Sequence, residues 1–358
     1  MDPAAQSLNT NNSQQASNQV LDNLKQKLAA VQVPPDVAEK LQDDFSRVEL
    51  VFKTGDFTPE FDRQISYINF VTDLPWNKAG QDILDLNRAK QVLDKNHYGL
   101  ETIKARILEY LSIMILNHMK GQVAKQPILA FVGLVGSGKT SLAFSIAESL
   151  GRPLIRIPFG GLGSALQLRG ESRVKSEAEP GLIMRALKRA QVKNPVILLD
   201  ELDRVTELAR ADIMGVLVEL LDPEQNMAFL DHYVNFPFDL SQVLFVATAN
   251  NTGNIATAVM DRLEVIEMPF YTDEQKVVIG RDYIMPETLK NAAIDPRFIQ
   301  IDPKVWENIV RPLGFDGGIR SLKRHIVNMV GKIARMVVEG QKGPFVINEQ
   351  NIQQYLNT

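Results

Sequence analysis

Between residues 133 and 140 the chain reads Gly-Leu-Val-Gly-Ser-Gly-Lys-Thr. Glycines at this spacing, followed at once by Lys139 and Thr140, let backbone N–H groups converge on phosphate oxygens. The lysine neutralises the β and γ phosphates of a nucleoside triphosphate, and the threonine hydroxyl is offered to Mg²⁺. The expected contact set is Gly133, Leu134, Val135, Gly136, Ser137, Gly138, Lys139, Thr140 and Ser141. A glycine-rich turn without a ligand is the competing reading. The apolar run Ile128–Val132 before the loop and the stripe Leu142, Ile146 and Leu150 after it count against that reading, because strand, loop and helix stand in the order the chemistry requires.

Val196-Ile-Leu-Leu-Asp200-Glu201 is a second chemical element. An apolar strand delivers two acids at its carboxyl end, where ligands of open α/β sheets bind. Asp200 in that position orients Mg²⁺ through its water shell, and Glu201 polarises the attacking water. Alone, such a pair serves equally well as a cap on the following helix; the phosphate loop upstream favours the catalytic assignment.

The elements that must carry these groups are readable from apolar spacing. Short β-type runs at Ile128–Val132, Leu154–Ile157, Val196–Leu199 and Val243–Thr248 alternate with helical stretches such as Ser141–Leu150 and Ile183–Gln191. Buried strands alternating with helices predict an α/β fold with a parallel sheet over residues 81–269. A helix through Leu108–Leu111 leads into it.

Upstream, Val20, Leu21, Leu24 and Leu28 have helical spacing and Pro34-Pro35 ends it; a second helix runs from Asp36 to about Phe52, closed by Gly55-Asp56. Thr58-Pro59-Glu60 starts a third, so residues 19–80 read as a helical neck. Residues 1–18, rich in Asn, Gln, Ser and Ala, read as a disordered polar tail. After about Pro269 the β runs give way to helices: Thr272 caps one, and Ile326, Met329, Val330, Ile333 and Val337 mark a long amphipathic one. A short strand at Phe345–Asn348 and a last helix over Glu349–Asn357 complete an α-helical lid spanning 270–358.

Composition narrows the function classes. The 358 residues carry a formal charge of −4, so no basic footprint for nucleic acid exists at chain level. Cysteine is absent, which excludes disulfides, thiolate chemistry and Cys-ligated zinc. His97, His118, His232 and His325 lack metal-ligand spacing. No run spans a bilayer and no secretory or mitochondrial leader is evident, so a cytoplasmic protein is the expectation.

Several strings go beyond a generic phosphate loop. Asp200-Glu201-Leu-Asp203 resembles the second nucleotide motif of AAA+ ATPases. Leu220-Leu-Asp-Pro-Glu-Gln-Asn226, Phe229, Asp231-His232-Tyr233, Phe238–Ser241 and Leu244–Asn250 resemble the Lon protease family, as do Leu74-Pro-Trp76, His97–Leu100 and Arg106–Leu111. The resemblance covers roughly the last 300 residues and implies an AAA+ ATPase using ATP and Mg²⁺, the metal held by Thr140 and, through water, Asp200. It implies that Asn250 is the polar sensor near the γ-phosphate, though an Asn after a strand also serves as a turn residue. It implies that Arg262 is an arginine finger reaching the neighbouring subunit; a surface salt bridge is the alternative. Arg320 matches the lid arginine of the second sensor. His97, Tyr98 and Gly99 lie where the family packs adenine, against the alternative of a core histidine and tyrosine. The family typically forms homohexamers that thread protein substrates.

Three departures qualify these implications. No Ser-Lys peptidase domain follows the lid, so the chain is expected to be a naturally protease-free ATPase, half of a split enzyme served by a separate peptidase, or a truncated form of a longer protein; peptidase activity would need a missing downstream domain. The family's N-terminal β domain has no counterpart. The substrate-gripping loop between Arg169-Gly170 and Pro180-Gly181 carries Lys175-Ser176 in place of an aromatic–aliphatic pair, which leaves Leu162 or Val174 to grip. The leading expectation is a ring ATPase that unfolds or remodels protein. A nucleotide-dependent assembly switch is the alternative, and a DNA-associated motor is disfavoured by charge.

Overall fold

A computed structural model describes residues 19–54, 58–122, 126–311 and 318–356. The polar tail, Gly55-Asp56 and the end of the last expected helix lie outside them.

The neck comprises α1 (residues 19–30), α2 (Pro35–Thr54) and α3 (Pro59–Thr72). Pro59 opens α3 as expected, but Thr58 makes no side-chain cap bond. Leu84 to Pro127 holds two helices, α4 (Leu86–Asn96) and α5 (Glu101–Met119). The break falls at Gly99 and Leu100, both at positive φ (64° and 59°), where an uninterrupted helix cannot continue.

The α/β region contains β1 (Ile128–Val132), α6 (Lys139–Leu150), β2 (Leu154–Pro158), α7 (Leu166–Arg169), α8 (Leu182–Ala190), β3 (Val196–Asp200), α9 (Arg210–Leu221), a hairpin of β4 (Phe229–Leu230) and β5 (Pro237–Phe238), β6 (Leu244–Ala249), α10 (Thr257–Met260) and β7 (Leu263–Glu267). The main sheet has the order β2-β3-β6-β1-β7, all parallel. Its two faces alternate as a pleated sheet requires. Leu129, Phe131, Leu198 and Val246 pack with Ile107, Leu142 and Ile146 on one side. Ala130, Ile197, Leu199 and Ala247 pack with Ile183, Leu187 and Leu217 on the other.

The neck shares that second core. Tyr67 Oη donates to the Val234 carbonyl at 3.0 Å, Phe70 meets Tyr233 edge-on, and the rings of Trp76 and Phe238 lie 4.9 Å apart. Burying each such side chain contributes about 1.5–3 kcal/mol.

The lid has its own core, in which Ile326, Met329, Val330 and Ile333 of α14 face Trp306, Ile309 and Tyr355. Its order is α11 (Asp273–Ile279), a π-helical turn Gly280–Ile284, α12 (Met285–Asn291), β8 (Ile299–Ile301), α13 (Trp306–Val310), α14 (Arg320–Val338), β9 (Phe345–Ile347) and α15 (Ile352–Leu356). Thr272 and Gln275 form a reciprocal capping box at α11. The strand expected at Phe345–Asn348 is present as β9, and it pairs in parallel with β8, a strand that was not expected. Three residues between prolines were too few to read as a strand.

Candidate functional site

The carboxyl ends of β1, β3 and β6 meet α14 and the π-helical turn around a cleft of about 460 Å³. Its walls include His97, Tyr98, Val135, Gly136, Gly138, Lys139, Thr140, Ser141, Asp200, Glu201, Asn250 and Arg320. Thus most of the residues singled out by sequence converge on one space. Gly133, Leu134, Ser137, Gly99 and Arg262 are not on its walls.

Gly133 instead packs under the loop, where an added Cβ would lie 2.8 Å from Met268 Cβ. Gly136 takes φ +84° and touches the lid: the Ile319 amide donates to its carbonyl at 3.0 Å. Lys139 Nζ rests on the carbonyls of Gly133 and Leu134 (2.6 and 2.9 Å) and on Asn250 Oδ1 (3.2 Å). None of these direct partners is charged. Burial draws the ammonium below its usual pKa, opposed by Asp203, Asp200 and Glu201. A phosphate chain fits this arrangement, since it supplies the charge that the lysine's neutral partners do not. The buried Ser137 Oγ has no hydrogen-bond partner among the described residues.

Asp200 is held at both oxygens: Arg156 Nε donates to Oδ2 at 2.6 Å, and Thr248 Oγ1 donates to Oδ1. Thr248 Oγ1 also accepts the Glu201 amide at 3.0 Å. Glu201 takes a left-handed conformation (φ 60°, ψ 52°), a strained geometry that such fixed partners sustain. Its carboxylate lies 3.3 Å from Arg204 Nη1. Asp203, buried, accepts from the Asn250 backbone amide at 3.0 Å and so fixes that residue at the end of β6. Thr140 and Asp200 both line the cleft, and their hydroxyl and carboxylate suit a hard divalent cation.

Arg262 is bound within its own chain, with Nη2 2.7 Å from Asp222 Oδ2 and Nη1 donating to the Ala258 carbonyl at 2.8 Å. His97 is buried, and its Nε2 lies 2.9 Å from Ser145 Oγ. Burial, with Lys104 nearby, pushes its pKa down to about 4. Tyr98 and Tyr283 meet edge-on across the cleft, beside Tyr271, whose phenol burial pushes up to about 12.

Sequence reasoning missed Arg156, Thr248, Tyr271 and Tyr283 at this site. Two signals were available. Arg156 is the one charge in a strand of alternating isoleucines, two residues before the register partner of Asp200. Thr248 is a lone hydroxyl in an apolar strand, and a buried hydroxyl needs partners.

The loop expected to grip substrate is clamped at its stems. The buried carboxylate of Asp231 accepts from the amides of Gly181 (2.8 Å), Tyr233 (2.8 Å) and Val234 (3.0 Å). Lys175 pairs with Glu171 at 3.2 Å, Val174 is 95% exposed, and Leu162 is buried, which removes Leu162 from the gripping candidates.

A family model described as "ATPase family associated with various cellular activities (AAA)" matches residues 129–269. The chain is 38% identical over 340 residues to a Lon protease of Clostridioides difficile, covering 95% of this chain and 42% of that protein. It is 45% identical over 291 residues to one from Lawsonia intracellularis (81% and 35%), and 37% identical over 346 residues to Lon protease 2 of Thermus thermophilus (94% and 43%). The chain therefore spans well under half the length of these relatives.

Proposed function

We propose, from the premise that this chain belongs to the AAA+ ATPases of the Lon type, that it binds and hydrolyses ATP in a homohexameric ring and uses turnover to unfold or remodel protein substrates. The carrying observation is the convergence of Lys139, Asp200, Glu201, Asn250 and Arg320 on one cleft. The loop amides and Lys139 bind the phosphates. Glu201, fixed through its amide by Thr248, accepts the proton of the attacking water. Asn250, held by Asp203, orients that water. Thr140 and Asp200 would hold Mg²⁺, which when bound supplies charge neutralisation at the phosphates. Arg320 reports occupancy to the lid.

Arg262 sits off its own cleft and against Asp222, which supports action on a neighbouring subunit. Any peptidase is a separate or adjoining unit, and the cytoplasm is the proposed compartment. The pairing of Lys175 with Glu171, where an aromatic was expected, favours a second reading, an assembly switch without threading. Phosphate release measured with and without a permanently unfolded protein separates the two. The remodelling reading expects several-fold stimulation, and none would defeat it while leaving hydrolysis intact.

A further inference from the structure

α4 packs along α6, the helix that opens from the phosphate loop, and ends at Asn96 on the wall of the nucleotide cleft. There the Asn96 side chain is tied to α6 through its nitrogen: Nδ2 donates to Glu148 Oε2 at 2.9 Å and to the buried Ser145 Oγ at 3.1 Å. Ser145 Oγ also lies 2.9 Å from His97 Nε2.

The partners fix which way round the carboxamide sits. A carboxylate only accepts hydrogen bonds, so Glu148 takes the amide nitrogen and repels the amide oxygen. Oδ1, on the other arm of the planar group, meets no hydrogen-bond donor among the described residues. It is therefore an acceptor left over for the cleft that Asn96 lines, with its polarity set from behind.

The neighbouring wall cannot tell one purine from another. Tyr98, Ile279, Tyr283 and Ile284 offer ring faces and aliphatic surface, and every base has a face to lay on them. Discrimination needs a contact on the base edge, where adenine presents an exocyclic amino donor and guanine a carbonyl acceptor. Glu287, a carboxylate on the same cleft, already has a cation, Lys323 Nζ at 3.6 Å.

We propose that Asn96 Oδ1 reads the base by accepting from the exocyclic amino group of adenine, and that Glu148 is the positioning residue that keeps this oxygen turned to the cleft. A purine with oxygen at that place meets it acceptor against acceptor and leaves both unpaired. The inference rests on the ATP-binding reading and adds to it the residue that selects the base.

The test is calorimetric titration of the full chain, with Mg²⁺ present, using three triphosphates. At the purine C6 position they carry an amino group (ATP), an oxygen (ITP) or hydrogen (purine riboside triphosphate). The parent is expected to bind ATP about tenfold or more tightly than purine riboside triphosphate, with ITP weakest. Asn96→Ala is expected to bring ATP down to the level of purine riboside triphosphate, whose own unchanged affinity reports an intact cleft. Glu148→Lys faces the amide with a donor in place of an acceptor, which turns the carboxamide round, and is expected to narrow or reverse the preference for ATP over ITP. A parent that binds ATP no tighter than purine riboside triphosphate, or an ATP advantage that survives in Asn96→Ala, would overturn the proposal and leave the ATP reading standing. A parent that binds none of the three would overturn both. If Asn96→Ala binds no nucleotide, Glu148→Lys decides, because a preference for ATP over ITP equal to the parent's overturns the proposal.

Discussion

Arg156 Nε donates to Asp200 Oδ2 at 2.6 Å, so a guanidinium occupies one face of the carboxylate assigned to the metal. A Mg²⁺ held by Asp200 through its water shell would share the carboxylate's negative charge with that guanidinium. Arg156→Gln is expected to lower the Mg²⁺ concentration giving half-maximal nucleotide binding several-fold, as titrated with a fluorescent ATP analogue. A higher Mg²⁺ requirement would instead make Arg156 a support that the metal site needs.

Glu201→Gln preserves the shape and the amide contact to Thr248 but removes the proton acceptor. Turnover is expected to fall by about a hundredfold or more, with ATP affinity within a few-fold of the parent. Phosphate release and equilibrium binding on the same preparation decide it; persistent hydrolysis would remove Glu201 from the chemistry.

The lid contacts the phosphate loop through backbone as well as side chain. A Cβ added at Gly318 would lie 2.3 Å from the Val135 carbonyl oxygen, and the neighbouring Ile319 amide bonds Gly136. Gly318→Ala is expected to push the start of α14 away and weaken ATP binding at least about tenfold, roughly 1.4 kcal/mol. Calorimetric titration checks it, with circular dichroism to confirm that the lid stays helical.

Arg262→Ala is expected to lose about a hundredfold or more in turnover. Mixed with Glu201→Gln subunits it should recover partly, because an interface pairing an intact Glu201 with the next subunit's intact Arg262 is complete. Absence of recovery at every mixing ratio would place the finger in its own subunit.

His97 gives stability a pH signature. Its folded pKa of about 4 lies below the ordinary 6.5. Above pH 6.5 the ring is neutral in both states. As pH falls below that, the unfolded chain takes a proton that the folded chain refuses, and stability declines until about pH 4, by about 3 kcal/mol in all. Denaturant unfolding of the parent and His97→Gln across this window should show the steeper decline in the parent.

The parallel sheet, the phosphate loop and the acid pair were legible because short continuous apolar runs and glycine spacing are local signals. The capping box at Thr272 was legible for the same reason. Arg156, Thr248 and Tyr283 act through contacts made across strands or between the α/β region and the lid, and no local pattern encodes those. The split between α4 and α5 was hidden because Leu100 adopts a left-handed conformation that its residue type does not advertise. The clamp of Asp231 on Gly181 joins residues 50 apart in sequence; only its string, not its bond, could be read.

The common core beneath Tyr67, Trp76, Tyr233 and Phe238 sets what can be moved between proteins. Because α3 closes the same apolar interior that β3 and β6 build, the helices before residue 81 are not an interchangeable module. A chimera that fused a foreign neck at that junction would expose Val234, Phe238 and Tyr233 unless it also brought a matching Tyr67 and Trp76. The smallest transplantable unit of this chain is therefore neck and nucleotide region together; the lid has a separate interior, but a replacement must keep the close contacts of Gly318 and Ile319 with the phosphate loop.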